Sequence, residues 1–521
     1  VLARIESIGN RLPDPLTIFA LLAAAVVGVS ALLEGTTESF AQRDGTLSTR
    51  TVRSLATREG VRWMFENAVS NFTGFAPLGK VLVVMLGIGV AERSGLVSAA
   101  LRLAVHAVPR SAVTAALVFA GVMSSVALDA GYIVLVPLGA VVFAGLGRHP
   151  LAGLAAAFAG VSGGFGANLF LTGLDPMLAG LTQEAARLVD PTYTVHATAN
   201  YYFQVASTGW ITIVGTLVTT RIVEPWLGPW DESRAEVQPE PHAPPGARER
   251  RAAMFAALAW LGTGLALALL ALVPGAPLRD DAAARTIDAI APLLRSLEPA
   301  IALLFLVPGI TYGCAAGTLR SDRDAARMAG ETMGAMGAYI ALAFVAAQFV
   351  AYFAWTDLGA IGAVRGARLL ARLGAGEIAL LLAFVLVTAA ANLLMGSASA
   401  KWAVMAPVFV PMLMLSGLGP EAAQAAYRVG DSVTNIVSPL LPYLPLVIVF
   451  ARRYDREAGL GTILASMLPY SIGLAIAWGA LLALWIGLGL PLGPGVSTHD
   501  EIAPATTSGS TIDPASRSSR P

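Results

Sequence analysis

Two stretches decide how this chain folds: Ser124-Ser125-Val126-Ala127-Leu128-Asp129 and Ser397-Ala398-Ser399-Ala400-Lys401-Trp402. Each interrupts the middle of a long apolar run, at about 111–146 and about 376–415. In both runs a proline follows twelve positions after the second serine, Ser125 to Pro137 and Ser399 to Pro411. These runs are too long for one passage across a hydrocarbon core about 30 Å thick. Each is therefore expected to enter and return as a re-entrant helical hairpin. A second interruption follows each hairpin. The first is Gly163-Gly164-Phe165-Gly166-Ala167-Asn168, continuing to Thr172-Gly173-Leu174-Asp175-Pro176, within a broken helix at about 150–175. The second is Gly430-Asp431-Ser432-Val433-Thr434-Asn435, continuing to Ser438-Pro439, within a broken helix at about 425–450.

Matched interruptions in the same order, separated by roughly 270 residues, form the pattern of an internal repeat, and such positions point to a binding site. The reason is backbone polarity. Gly, Ser, Asn and Pro leave peptide groups unpaired by the helix, and in lipid each unpaired group costs several kcal/mol, so this backbone must line protein or water. A single interruption would equally suit ordinary Gly/Ser helix packing. Four of them, paired in order and spacing, argue for a site.

Composition sets the class. Of 521 residues, 56% are apolar and 13% are charged, the latter about half the share of a soluble domain. The alternating short runs of an outer-membrane barrel are absent, so the spans are helices. The sequence predicts an all-α polytopic membrane protein with about nine transmembrane helices plus the two hairpins. The remaining spans fall near 14–33, 76–92, 201–222, 252–273, 298–317, 330–355 and 460–488, with a polar loop at 34–65 and an amphipathic stretch at 95–108. The Pro-rich charged linker 229–251 divides a first half, 1–228, from a second half, 252–490. A Ser/Thr/Pro-rich tail, 491–521, is expected to be disordered. Arginines cluster in alternate loops (Arg93, Arg102 and Arg110; Arg148; Arg248, Arg250 and Arg251; Arg320, Arg323 and Arg327; Arg452, Arg453 and Arg456). By the positive-inside rule this places the N-terminus and the linker in the cytoplasm of a multi-pass inner-membrane protein. The first hairpin then enters from the cytoplasm and the second from outside, an inverted repeat.

Lys+Arg equals Asp+Glu, 34 each, and no basic patch accumulates, so nucleic acid is not an expected partner. The single cysteine, Cys314, reads as a small buried thiol. No Walker motif is present, so the drive is expected to be an ion gradient. No His-Glu-x-x-His or Cys/His cluster supports an intramembrane enzyme, and inverted hairpins argue against an open channel.

An ionised carboxylate in a membrane span needs a partner or a role. Asp175 ends the first broken helix and Asp431 lies in the second. Arg428, one turn before Asp431, suits a structural ion pair with it or, as favoured here, a clamp for a substrate carboxylate, with Asp431 as a cation ligand. Asn168, Asn392, Asn435, Ser397, Ser399 and Thr434 would supply neutral oxygens, a set that suits sodium or a proton relay. Trp402 suits stacking on an aromatic substrate or a headgroup anchor. Lys401 suits coupling or snorkelling to the interface, and Asp129 a proton or cation role.

The opening Ile5-Glu6-Ser7-Ile8-Gly9-Asn10-Arg11-Leu12-Pro13-Asp14-Pro15 resembles that of the p-aminobenzoyl-glutamate transporter (AbgT) family. So do Met85-Leu86-Gly87-Ile88-Gly89-Val90-Ala91-Glu92, the Gly163–Asp175 stretch, the Gly396–Pro407 hairpin, and Tyr427-Arg428-Val429-Gly430-Asp431-Ser432-Val433-Thr434-Asn435. The resemblance covers nearly the whole chain apart from the tail. It implies a homodimer with an inner scaffold and an outer transport core that works by elevator motion. It further implies transport of p-aminobenzoyl-glutamate, or export of sulfonamide antimetabolites, driven by a sodium or proton gradient with no other cofactor. Functional positions implied by the motifs are Asp175, Ser399, Trp402, Pro420, Arg428, Asp431 and Pro439, with sodium at Asn392, Asp431 and Asn435. The competing reading is a sodium-coupled dicarboxylate symporter of related fold.

Overall fold

The computed structural model describes residues 15–41, 47–106, 109–127, 131–235, 246–283, 289–372, 374–395, 397–438, 441 and 443–496. Asp129, Pro439 and the expected disordered tail beyond 496 lie outside them. The described chain is helical apart from one antiparallel hairpin, β1 (Thr37–Ala41) and β2 (Leu47–Thr51), and an isolated bridge between Gly493 and Val496.

The helices are α1 (Pro15–Leu32), α2 (Arg58–Thr73), α3 (Ala76–Arg93), α4 (Leu96–His106), α5 (Val113–Met123), α6 (Val136–Gly145), α7 (Pro150–Phe158), α8 (Leu174–Ala186), α9 (Tyr201–Val218), α10 (Glu224–Leu227) and α11 (Ala247–Leu272). There follow α12 (Ala291–Arg295), α13 (Leu297–Ala316), α14 (Asp322–Ala335), α15 (Gly337–Trp355), α16 (Leu358–Arg372), α17 (Glu377–Asn392), α18 (Ala398–Met414), α19 (Pro420–Asn435), α20 (Leu444–Arg452) and α21 (Leu460–Gly487). Among the described residues five helical stretches are long and apolar enough to cross a membrane: Arg58–Arg93, Ala247–Leu272, Leu297–Ala316, Gly337–Trp355 and Leu460–Gly487. Most of the shorter apolar helices are hairpin arms or halves of broken helices, so span length alone does not return the expected nine crossings. Lipid-facing ridges are visible directly. Leu258, Leu261, Leu265 and Leu269 on α11 are all more than half exposed. They repeat at three- and four-residue spacing along one face, which in water would be an untenable apolar surface.

Each expected hairpin run holds a pair of helices, α5 with α6 and α17 with α18. Arg148, between α6 and α7, donates to Thr114 Oγ1 at the start of α5 (2.9 Å) and to both carboxylate oxygens of Glu224 beyond the end of α9 (2.8 and 2.5 Å). Both ends of the first hairpin therefore lie at the C-terminal end of α9. At the second hairpin, Gly417 lies against the Glu377 carboxylate. The Gly487 end of α21 packs against Ile378, and Tyr202 at the start of α9 donates to Leu492 O (2.9 Å). That hairpin opens at the N-terminal end of α9. The two hairpins thus enter from opposite ends, and α9 and α21 pack together between them.

Outside this core, α3 packs closely on α13, which packs on α11, and α1 packs on α15. A Cβ at Gly87 would fall 2.1 Å from Ala302 O, so only glycine permits that approach. Arg102 on α4 pairs with Glu249 on α11, and Arg93 on α3 pairs with Glu331 on α14 at 2.9 Å.

Several expectations need correction. The first broken helix does not end at 175. It runs to Gly163 with a π-helical last turn, breaks over 164–173, and resumes as α8, so Asp175 stands in the first turn of the second segment. The second runs as α19 from Pro420 to Asn435 and as α20 from Leu444 to Arg452. The span at 330–355 is two helices, α14 and α15, that meet at Met336. The polar loop 34–65 holds the β-hairpin and the start of α2, and amphipathic α16 was not anticipated. Cys314 is exposed rather than buried.

Candidate functional site

The two helix breaks meet each other. Gly166 N donates to Ser432 Oγ (2.8 Å), and Asn435 Nδ2 to Ser162 O (3.4 Å). Each break also ties back to its own hairpin. Asn168 Nδ2 donates to Ser125 Oγ (2.9 Å), Met123 O (3.3 Å) and Val122 O (3.4 Å). In the second half, Ser438 Oγ donates to Asn392 O (3.3 Å). Residues 168 and 438, like 122 and 392, stand 270 apart. The repeat read from the sequence is therefore a repeat of contacts, and side chains take up the backbone groups that the breaks release.

Two buried ion pairs flank this crossing. Asp175 Oδ1 accepts from Arg428 Nη2 (2.6 Å) and Gln204 Nε2 (2.8 Å); Oδ2 accepts from Thr172 N (2.5 Å) and Thr172 Oγ1 (2.9 Å). The carboxylate stands in the first turn of α8, where the helix dipole favours an anion. Asp431 Oδ1 lies 2.5 Å from Lys401 Nζ and 3.4 Å from Tyr427 Oη. The structural Arg428–Asp431 pair allowed by their spacing does not form. Arg428 reaches α8 of the first repeat and Asp431 reaches α18 of the second hairpin, so α19 is ion-paired to both. Lys401 does not snorkel; it is fully buried. Charges of opposite sign at these distances offset a desolvation penalty that either alone would leave uncompensated.

Around Lys401 the expected oxygen ligands come together. Its ammonium donates to Asn392 Oδ1 as well as pairing with Asp431. Asn392 Nδ2 lies within hydrogen-bond distance of Asp431 O (2.7 Å), Asn435 Oδ1 (2.8 Å) and Thr434 Oγ1 (3.0 Å). Among the described residues no cluster of three His, Cys, Asp or Glu side chains could hold a metal. The side chains of Asn392, Asp431, Thr434 and Asn435 bring only oxygens and amide nitrogens to this cluster. Ser397 caps α18, accepting from Ala400 N (3.4 Å), and Ser399 Oγ lies 3.4 Å from Ser397 Oγ.

Trp402 is also fully buried. Its Nε1 donates to Thr182 Oγ1 (3.0 Å) and Leu178 O (3.3 Å), and its ring packs on Tyr427 at 4.4 Å between centroids. In this conformation Tyr427 takes the stacking position expected for a substrate ring. Pro420 is the first residue of α19, two turns from Arg428, and does not join the cluster. The sequence reading missed a polar chain behind the site. Thr182 Oγ1 lies 2.6 Å from Gln424 Oε1, Gln424 Nε2 donates to Asn200 Oδ1 (2.9 Å), and Asn200 Nδ2 to Glu421 O (2.8 Å). Gln204 and Gln424, amides inside apolar segments, were the available signal.

Asp175, Lys401, Trp402, Arg428 and Asp431 are each at most 3% exposed, so the site is closed. A cavity of about 590 Å³ lies elsewhere, between the first hairpin (Met123, Val126) and helices α11 and α13 (Trp260, Phe305). Its wall is almost wholly apolar and offers an anion nothing.

Residues 1–500 match the model of the AbgT putative transporter family. The chain belongs to the AbgT family. It is 35% identical to the p-aminobenzoyl-glutamate transport protein of Escherichia coli, over 94% of this chain and 96% of that one. It is 45% identical to the YdaH transporter of Alcanivorax borkumensis, whose crystal structure was described as having an unusual topology. That match has a TM-score of 0.86 and covers 92% of this chain and 100% of that one. It is 43% identical to MtrF of Neisseria gonorrhoeae, described as illuminating a class of antimetabolite efflux pumps, with a TM-score of 0.89 over 95% and 99% of the two chains. The AbgT assignment agrees with the resemblance carried by the hairpin and broken-helix segments.

Proposed function

We propose that this chain is a secondary active, cation-coupled transporter of p-aminobenzoyl-glutamate, sulfonamide-type antimetabolites, or both, across the bacterial inner membrane. The observation that carries the reading is the closed crossing of two inverted helix breaks, flanked by two complementary ion pairs. Arg428 is the intended clamp for the substrate carboxylate. One edge of its guanidinium holds Asp175, while its buried Nε has no hydrogen-bond partner among the described residues. An incoming carboxylate would complete it, since the guanidinium fork matches carboxylate geometry. When the second hairpin moves away, Trp402 exchanges Tyr427 for the aminobenzoyl ring. Asn392, Asp431, Thr434 and Asn435 hold the coupling cation, sodium or a proton, with Ser397 at the rim.

The hairpins and broken helices form the moving core of an elevator. The α3, α11 and α13 group belongs to the fixed scaffold, through which two copies form a homodimer. The arginine-rich loops, and with them the N-terminus, face the cytoplasm. The aromatic pair Trp402–Tyr427 next to Arg428 favours an aromatic amino-acid conjugate over a small dicarboxylate.

Equilibrium binding of labelled p-aminobenzoyl-glutamate to the purified full chain tests this. Arg428→Lys is expected to weaken it at least about tenfold, the loss of one bidentate charge-assisted contact. Binding of p-aminobenzoate, which lacks the glutamate, should change less. Equal losses for both ligands would remove the clamp.

A further inference from the structure

The cation reading contains a conflict that names a further residue. The Lys401 ammonium already holds the Asp431 carboxylate and the Asn392 amide oxygen, two of the oxygens a sodium ion would need. No other basic side chain reaches this oxygen set among the described residues. Lys401 rides on α18, a hairpin arm, while its partners stand on α17 and α19. The oxygens are steered by a second net of bonds: the Asn392 amide nitrogen is held by Asp431 O, Asn435 Oδ1 and Thr434 Oγ1, which turns its Oδ1 toward Lys401. The lysine is fully buried, and its neighbour Trp402 is anchored to α8 through Thr182 and Leu178. It therefore cannot yield without movement of the hairpin arm.

We propose that Lys401 is a tethered competitor for the coupling cation. Its ammonium and a sodium ion hold Asp431 Oδ1 and Asn392 Oδ1 in alternation, so loading an ion requires the ammonium, and with it the α18 end of the second hairpin, to withdraw. A competitor of this kind lowers the apparent affinity for sodium by the fraction of molecules in which it is engaged. It also makes ion loading report on hairpin position, which coupling requires. The inference rests on the proposed oxygen set as the cation site and adds the residue that controls access to it.

The test is thermal unfolding of the purified full chain, titrated with sodium chloride against choline chloride at constant total salt. Wild type, Lys401→Met and Lys401→Arg are compared. Lys401→Met keeps most of the stem and removes the charge. It should start less stable than wild type without sodium, be restored by sodium, and reach its sodium midpoint at a concentration at least about tenfold lower. Lys401→Arg keeps a competitor and should show a midpoint at or above that of wild type; this variant remains informative if Lys401→Met does not fold without salt. A Lys401→Met midpoint equal to or higher than wild type would overturn the competition while leaving the cation site in place. An absence of any sodium-specific stabilisation in all three proteins would instead remove the cation site, and the competition with it.

Discussion

At the residue scale the molecule depends on charges that are buried and matched. Removing one member of such a pair leaves the other uncompensated, at a cost of about 3–5 kcal/mol, whereas replacing both by apolar groups can be nearly neutral. Asp431→Asn is therefore expected to destabilise the protein by that order, and the double change Asp431→Leu with Lys401→Met by clearly less than the two single changes together. Additive losses in a denaturation cycle would show that the 2.5 Å pair is not the interaction that matters. Trp402→Ala removes a fully buried indole that bonds Thr182. A loss of about 3–5 kcal/mol in stability is expected, and transport of aromatic substrates should fall more than transport of any small dicarboxylate. Equal falls for both would sink the stacking role. The types of these residues were legible in the sequence: charged side chains and a Trp at interruptions in apolar runs. Their partners were not. Asp175 and Arg428 are brought together from different halves of the chain, whereas local spacing allowed only an Arg428–Asp431 pair, which does not form. Helical periodicity reports which side chains share a face, not which neighbouring helix that face meets.

At the element scale, the approach of α17 to α19 sets the site. Gly430 permits it, since a Cβ there would meet Val385 O at 2.5 Å and Thr388 Cβ at 2.7 Å. Gly430→Ala should destabilise by about 1–3 kcal/mol through overpacking, read as a lowered melting temperature. An unchanged value would mean that the helices part without cost. A second element-scale contact lies away from the membrane spans. The β-hairpin docks on α16 through Glu38, which pairs with Arg365 (2.9 Å) and Arg368 (2.7 Å). The hydrogen bond from Arg365, then that from Arg368, holds the Glu38 carboxyl below its ordinary range. A lowered folded value means that the contact stabilises at pH values above the ordinary glutamate range and is lost as pH falls through the lower folded value. Amide hydrogen exchange in β2 should be slower in wild type than in Glu38→Gln at neutral pH, and the two should converge in acid. A difference that persists in acid would assign the docking to packing instead. The hairpins and the order of elements could be read from apolar run length and from matched Gly/Ser/Asn interruptions. The break over 164–173 falls on the interruption read from the sequence, but local composition did not show that a helix resumes at Leu174 and carries Asp175 in its first turn. Amphipathic α16 escaped notice because its apolar face is short and interleaved with arginines.

At the scale of the whole molecule, two inverted units cross at their breaks, each contributing one carboxylate, and the second contributing both cations. This arrangement buries both ion pairs and leaves a cavity of about 590 Å³ apolar and apart from the charges. The inverted repeat was visible in the sequence as spacing, and the packing of Asn168 on Val122 and of Ser438 on Asn392 gives that spacing its physical meaning. Helix count was the least legible feature, because re-entrant arms and half-helices are as apolar as true spans but shorter. The most direct measurement is uptake of labelled p-aminobenzoyl-glutamate into proteoliposomes, with sodium and proton gradients imposed one at a time and in each direction, for wild type and Asp431→Asn. The expected result is movement driven by one of the gradients in wild type and lost in Asp431→Asn, provided that the variant reconstitutes as a folded protein. Gradient-driven uptake that survives Asp431→Asn with the same ion dependence, or no gradient-driven movement in wild type, would contradict a transport site at the crossing of the two breaks.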